Sequence, residues 1–544
     1  MTRSTGRMRT IILIAAALLL LVAAGCGNNG NAANGKAGSG GNGADTSANA
    51  GKTNEGQTNA DQTKTEAPME ITWLSFNPPE DDSSPVQQAL EKKFNVKFKN
   101  IRIERANYNE QMNIKFSSGE IPDLIYLDSS PQRVEELVNQ GVLAELPVDE
   151  IKSHMPEYAK TLDDTDPSVW TYGQVDGKSY GIPVIWPIGS LPFLPGYNAD
   201  WLAKIGYNEP PKTLDEFEDV LRKFRNDDPD GNGKKDTYGY SGQGTDSRSF
   251  STVFGAFQVR TDYMVDPKSG QIVYGMTTEG AREAFKLLNK WYKEGLIDPE
   301  FVTKTANDYH DDFVNGKVGV RDWMSFQFEP RIGIVGSPFY TKNPDNQIVV
   351  GKQVSGPDGD GLAYSYGAKN AFLAMGRQVA DDPAKKEKLY EILNALATDD
   401  QTYLTSVYGI EGEHYHMENG KPIMKPEFAS ENNKYKIGAG TFYGLFGTKS
   451  KLMEHYDYTD DTLKFIDGLR EKGGQTLESL PLYVPAMDKY LDLGKLAQQY
   501  FIKFVRGETD LDAGFDTFVK AWNNAGGSEI LTEVNAKYKD TFAK

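Results

Sequence analysis

The sequence predicts an α/β protein: a mainly parallel sheet covered by helices, organised as more than one lobe. Three observations predict it. From Met69 onward, β-branched and aromatic runs alternate with segments of helical spacing, the order that joins parallel strands through helical crossovers. The chain has 544 residues, enough for two or three cores at roughly 100–200 residues per domain. The alternation continues to the C-terminus with no second low-complexity linker, so the domains are expected to share several crossings of the chain.

Ile71-Thr72-Trp73-Leu74-Ser75-Phe76 reads as a strand stopped by Asn77-Pro78-Pro79. Val86, Ala89, Leu90 and Phe94 recur at helical spacing. Val96 to Ile103 alternates as a strand, and Asn107 to Phe116 is helical. After a break at Gly119, Asp123-Leu124-Ile125-Tyr126-Leu127 reads as a buried strand, and Gln132 to Asn139 is helical up to Gly141. Ligands of such sheets bind beyond the carboxyl ends of the strands, so the segments after Phe76 and Leu127 are the first candidates for a cleft wall. Amphipathic helices are predicted over 214–224, 281–292, 384–397, 496–505 and 515–522.

Ahead of this body, Arg3, Arg7 and Arg9 precede an apolar run from Ile11 to Ala24, which is followed by Gly25-Cys26. This is the layout of an export signal, and the run is shorter than the roughly 20 residues a spanning helix needs. Val22-Ala23-Ala24-Gly25-Cys26 resembles the lipobox of bacterial lipoproteins, with Ala23 where that motif usually has Leu. On that resemblance residues 1–25 are a signal peptide and Cys26 is the lipidated mature N-terminus; the alternative is an ordinary signal with an incidental cysteine. Residues 27–68 contain no aromatic residue and no Val, Ile, Leu or Met, so nothing there offsets the entropy of ordering the backbone. They read as a tether with a typical span of about 35–40 Å.

Charge narrows the partners. There are 59 Lys and Arg against 77 Asp and Glu, and loss of the three signal arginines leaves a net charge of -21. Nucleic acid binding requires a segregated basic face, and no basic run exists. Cys26 is the only cysteine, so there is neither an internal disulfide nor a CxxC metal or redox motif.

Several segments together resemble the extracellular solute-binding proteins of sugar ABC importers. They are Ser118-Gly119-Glu120-Ile121-Pro122-Asp123-Leu124, Asp176-Gly177-Lys178-Ser179-Tyr180-Gly181-Ile182-Pro183, Tyr197-Asn198-Ala199-Asp200-Trp201-Leu202, Pro210-Pro211-Lys212-Thr213-Leu214-Asp215-Glu216-Phe217, Phe313-Val314-Asn315-Gly316-Lys317-Val318-Gly319 and Gly409-Ile410-Glu411-Gly412-Glu413-His414-Tyr415. The last is similar to the subgroup of LipO and the alginate-oligosaccharide-binding proteins. The resemblance implies a two-lobed periplasmic-binding-protein-like fold of type II, each lobe a mixed, mainly parallel sheet flanked by helices, with a hinge of crossing segments. The expected lobes are 69–192 with 361–420 and 193–360 with 421–544. It implies a lipid-anchored receptor on the outer face of a bacterial membrane, expected as a monomer, which closes on an oligosaccharide and delivers it to ABC permease subunits. A secreted polysaccharide-processing enzyme and a surface adhesin without transport are the competing readings.

Sugar binding needs aromatic faces and a few placed polar groups. The chain has 28 Tyr, 26 Phe and 7 Trp, many beside Gly or Pro in expected loops. Trp186, Trp323, Tyr364 and Tyr366 are the expected stackers, with Glu411 and His414 as polar partners; each has the alternative of packing inside a lobe. Asp228-Pro229-Asp230-Gly231-Asn232-Gly233-Lys234-Lys235-Asp236 matches the front half of a calcium loop, with oxygens from Asp228, Asp230, Asn232, the Lys234 carbonyl and Asp236. A structural Ca2+ is expected there, although position 12 is Gly239 instead of Glu. Related binding proteins carry a similar loop, and several place a carboxylate at the position held here by Thr237. No catalytic motif survives inspection: Gly177-Lys178-Ser179-Tyr180-Gly181 lacks the strand-to-helix context of a nucleophile elbow, and His414-Tyr415-His416 lacks a third histidine nearby for zinc.

Overall fold

A computed structural model describes residues 67–103, 105–128, 130–447 and 450–542. The expected signal, Cys26 and nearly all of the expected tether lie outside the described residues. Eight strands make the two larger sheets: β1 (Met69–Leu74), β2 (Val96–Ile101), β3 (Leu124–Leu127), β4 (Ile182–Ile185), β5 (Phe193–Asn198), β6 (Val320–Met324), β7 (Ile348–Val350) and β8 (Lys369–Met375). The first sheet has the order β2-β1-β3-β8-β4 and the second β6-β5-β7.

In the first sheet β1 is parallel to β2 and β3, while β8 runs antiparallel to both of its neighbours, β3 and β4. Four strands therefore point the same way, and their carboxyl ends share one edge with the amino end of β8. Asp123, 4% exposed, locks this arrangement. Its carboxylate accepts from the Thr72 amide and hydroxyl, both at 2.9 Å, and pairs with Lys385 at 3.1 Å. The aspartate of the Gly-Glu-Ile-Pro-Asp turn thus stitches β1 to β3.

Helix Pro85–Phe94 buries Val86, Leu90 and Phe94 against this sheet and ends at Asn95 in the left-handed region, φ 52°. Trp73 is buried with Phe98 at 5.4 Å and Tyr443 at 5.6 Å between ring centroids. Ile437, Ala439, Phe442, Leu445 and Phe446 join the same core, so residues 437–446 pack with the first sheet although 421–544 was expected in the second lobe. The stretch has no helical or strand periodicity, and only its aromatics, packed in three dimensions, reveal where it belongs.

The second sheet departs from the expected mainly parallel order. Both β6 and β7 run antiparallel to β5. They are reached through long excursions, so packing and not the alternation of elements sets their direction. Helices Leu214–Asn226 and Glu279–Lys293 cover this lobe through Phe217, Val220, Leu221 and Phe224 and through Ala281, Ala284, Phe285 and Leu288. That is the i, i+3, i+4, i+7 stripe predicted for both.

The chain crosses between the sheets in segments that bond to one another. The Trp186 amide donates to the Ala368 carbonyl at 2.7 Å and the Tyr366 amide to the Gly189 carbonyl at 3.1 Å. Strand Ala363–Ser365 pairs in parallel with strand Thr476–Glu478. The Arg260 guanidinium, 2% exposed, donates to the Ser365 and Leu477 carbonyls at 3.0 and 2.9 Å and so ties that pair together.

Candidate functional site

A ladder of aromatic rings and guanidinium groups runs from the core of the second lobe to the crossing segments. Arg321 lies 4.3 Å from the Tyr309 ring centre and 5.2 Å from that of Trp323. Arg248 lies 5.9 Å from Trp323 and 5.7 Å from Tyr366. Tyr366 in turn faces Trp186 at 6.4 Å with 30° between the rings. Each cation sits over a ring face, where the quadrupole is negative. Phe193, at the start of β5, braces the ladder from behind, 5.9 Å from Trp323 and 5.1 Å from Tyr366.

Arg248 is held in place from two sides. Its Nε and Nη2 donate to Asp246 at 2.8 and 2.7 Å, and its Nη1 donates to the Tyr366 hydroxyl at 3.0 Å. Burial raises the Tyr366 phenol above its usual value. Gly189 makes room for the indole: a Cβ there would stand 2.7 Å from both the Gly367 carbonyl oxygen and the Trp186 ring.

Deeper in the ladder Arg321 and Asp322 are fully buried on opposite faces of β6. Burial lowers Arg321 to about 10. It lowers His310 to about 4, with the Arg321 charge adding to the effect. The neutral imidazole therefore accepts from Arg321 through Nδ1, at 2.6 Å. Asp322 is raised by burial to about 6 although it accepts from the Thr252 amide and hydroxyl at 2.6 and 2.7 Å and from Tyr240.

The ladder ends in a recess of about 330 Å³ lined by Trp186, Tyr366, Tyr172, Lys369, Asn370 and Pro481. Two further recesses of about 350 Å³ share Pro481, one reaching Lys369 and Glu478 and the other Asp176 and Lys537. A fourth, about 240 Å³, lies at the carboxyl ends of β1 and β3 and is lined by Phe76, Arg105, Tyr108, Asn109, Glu110 and Asp128. Phe76, Asp128 and Trp186 stand just beyond the same edge of the first sheet, with Asn370 at the amino end of β8 beside them, where the parallel order of the strands predicts a cleft wall.

Of the six expected binding residues, the structure brings together Trp186, Trp323 and Tyr366. Tyr364 is 1% exposed, its hydroxyl accepting from the Thr261 amide at 2.8 Å, and it belongs to the core. His414 is buried with Nδ1 accepting from the Ile410 amide at 2.9 Å and its ring against Phe428. Glu411 is exposed on the same turn. Neither Glu411 nor His414 lines any of these four recesses. Tyr172, Asn370 and residues 479–482 were not anticipated; the one available signal was an aromatic beside Gly173 ahead of the Asp176-Gly177 turn.

The acidic loop follows helix Leu214–Asn226. Asp228 has φ 48° and accepts from the Asn232 and Gly233 amides at 3.1 and 2.9 Å. The Asn232 side-chain amide donates to Asp230 at 2.6 Å and to Asp236 at 3.1 Å. Asp230 is raised, first by partial burial and then by Asp228 and Asp236 beside it. The donors are all hard oxygens, which suits Ca2+, but the shell is open: among the described residues no three His, Cys, Asp or Glu side chains are grouped to hold an ion. Position 12 cannot carry glutamate, because a Cβ on Gly239 would stand 2.6 Å from the Leu221 Cα. Thr237 is buried with its hydroxyl committed to the Phe224 carbonyl at 2.8 Å.

Residues 86–324 match the family model of bacterial extracellular solute-binding proteins. Lipoprotein LipO of Bacillus subtilis is 26% identical over 85% of this chain and 90% of its own length. The polygalacturonan/rhamnogalacturonan-binding protein YtcQ of the same organism is 22% identical over 87% and 92%. A solved structure of the S. pneumoniae ABC-transporter substrate binding protein FusA in complex with kestose shares the fold with a TM-score of 0.60, at 21% identity over 87% of this chain and 99% of that one.

Proposed function

We propose that this chain is a bacterial extracellular solute-binding protein, the family whose model its residues 86–324 match, and that it is an oligosaccharide receptor that feeds an ABC importer. The observation that carries the reading is the ladder ending at Trp186 and Tyr366, two half-buried aromatics on crossing segments beside a recess that also presents Asn370 and Lys369. Apolar faces of sugar rings stack on such aromatics, and a few polar groups read the hydroxyls. Because Trp186 and Tyr366 sit where the chain passes between the lobes, ligand contact is coupled to closure about those segments.

YtcQ and FusA carry names of binding proteins, and we read this chain likewise as a binder and not a catalyst. Lipid attachment through Cys26, which places the receptor on the outer face of the cell membrane, and delivery to permease subunits belong to the same proposal. So does a weak structural Ca2+ in the 228–236 loop. There Asp228, Asp230, Asn232, Asp236 and the Lys234 carbonyl would hold the ion, which would neutralise the crowded carboxylates.

Titration calorimetry against a panel of oligosaccharides, with the sugar recovered and sized by chromatography, tests the function. Saturable heat with sugar recovered intact is the expected result. Shorter products would replace the receptor by an enzyme.

A further inference from the structure

The charges around the four recesses are unequal once ion pairs are taken into account. Lys369 is 9% exposed and lies 3.4 Å from Asp166, and Lys537 lies 2.6 Å from Glu135. Among the described residues, Arg105 is the one cation at a recess wall without an ion pair, and it lies over the Phe76 ring at 5.0 Å. Against it stand four carboxylates with no cationic partner among the described residues: Glu110 and Asp128 in the recess beyond β1 and β3, Glu478 and Asp176 in the recesses around Pro481.

Asp128 is the most constrained of them. Its Oδ2, on the open side of the recess, accepts from the Asn109 amide at 3.2 Å, and Oδ1 has no hydrogen-bond partner among the described residues. A carboxylate in that condition favours a hydroxyl donor and opposes a second anion. The two arginines of the ladder do not reverse the balance. Arg248 is saturated by Asp246, and Arg321 is fully buried against His310 and lines none of these recesses.

We propose that the cleft selects uncharged oligosaccharides and rejects uronate-containing ones, with Asp128 as the residue that sets this choice at the carboxyl end of β3. The proposal rests on the oligosaccharide reading and adds the class of sugar. An uncharged ring in the Phe76 recess donates hydroxyls to Asp128 and accepts from Arg105. A uronate there brings its carboxylate against Asp128 and Glu110 in a partly desolvated space, where like charges cost affinity. It also sets this chain apart from the relative whose name records polygalacturonan binding.

The test is calorimetry on the wild-type protein with α-1,4-linked galactose oligomers and oligogalacturonides of equal length, preceded by an array of neutral and uronate glycans that chooses a further neutral ligand. The expected result is binding confined to uncharged sugars, with uronates weaker by at least about 100-fold. Asp128→Asn should weaken neutral binding and shift the neutral-to-uronate ratio toward uronate by about tenfold or more. If Asp128→Asn does not fold, Glu478→Gln should shift the ratio in the same direction. A uronate oligomer bound as tightly as any neutral one, or a ratio unmoved in a folded variant, overturns the proposal. Trp186→Ala separates the two levels: a uronate that wild type binds and Trp186→Ala does not leaves the oligosaccharide reading standing and removes this one. Failure of wild type to bind any sugar removes both.

Discussion

Lys537 on the C-terminal helix places its ammonium 2.6 Å from the Glu135 carboxylate on helix Pro131–Asn139. The two helices pack in different cores, Val134 with the first sheet and Val534 with the second lobe. Gln132 reinforces the contact by donating to Asp488 at 2.7 Å. These side chains bridge the lobes beside the recess lined by Pro131, Asp176 and Lys537 and so oppose their separation. An exposed pair of this kind contributes about 0.2–1 kcal/mol. Glu135→Gln should therefore populate the open form, weaken sugar binding by roughly twofold to fivefold and raise the radius of gyration of the free protein in X-ray scattering. An unchanged radius and unchanged affinity would show that the pair has no part in closure.

Trp186 is the ring at which the ladder meets the recess. Removing it should cost about 1–3 kcal/mol of binding, the scale of burying a large apolar surface, with thermal stability little changed because the indole is half-buried. Tyr366→Phe keeps the ring and loses the Arg248 hydrogen bond, so its loss should be smaller, about 0.5–1.5 kcal/mol. Gly189→Ala forces a Cβ to 2.7 Å from the Trp186 ring and should weaken binding as Trp186→Ala does. Calorimetry on the three variants checks the order, and equal affinity for all three and wild type would remove the ladder from the site.

How far the site was legible follows from where its signals reside. Trp186 and Tyr366 were readable because large aromatics beside Pro and Gly interrupt strand patterns at crossing points. Tyr364 was misplaced because it lies inside strand Ala363–Ser365 with its ring turned to the core, whereas Tyr366 lies past the strand end where alternation no longer applies. His414 was misplaced because its ring nitrogen caps its own turn. Residues 479–482 have no periodicity and reach the cleft only because strand Thr476–Glu478 pairs with a strand far earlier in the chain. The helices were legible at once: the stripe of Phe217, Val220, Leu221 and Phe224 is local, and a local pattern needs no tertiary information.

Asp322 and His310 should oppose each other in acid. Asp322 is raised to about 6 from an ordinary 3.8, so between pH 4 and 6 the folded state binds the proton more tightly and stability falls as pH rises. His310 is lowered to about 4 from 6.5, so between pH 4 and 6.5 the unfolded state binds the proton more tightly and stability rises with pH. Each shift corresponds to about 3 kcal/mol at 1.36 kcal/mol per unit, so the two nearly cancel. Arg321, Tyr309, Tyr240 and Tyr197 are the other charged or titratable groups facing this pair. Denaturant unfolding of His310→Gln, compared with wild type at each pH, should show stability declining from pH 4 to 6; Asp322→Asn should show the reverse slope. Parallel curves for all three proteins would mean that these groups titrate normally.

The 228–236 loop yields the last prediction. Asp230 is raised first by partial burial and then by its neighbours Asp228 and Asp236, and a bound cation offsets both, so adding Ca2+ to chelator-treated protein should raise the melting temperature. With an incomplete shell the affinity belongs at the weak end, about millimolar, and tenfold saturation would then add about 1.4 kcal/mol. Asp230→Asn should reduce the shift. Supplying the missing ligand should fail: Gly239→Glu drives a Cβ to 2.6 Å from the Leu221 Cα, so it lowers stability by distorting the packing of helix Leu214–Asn226 before any carboxylate reaches the loop. Calorimetry at about 10 mM Ca2+ with a Mg2+ control decides between the outcomes. Heat with Ca2+ alone places the ion, and its absence together with an unshifted melting temperature leaves the loop as a turn closed by Asn232.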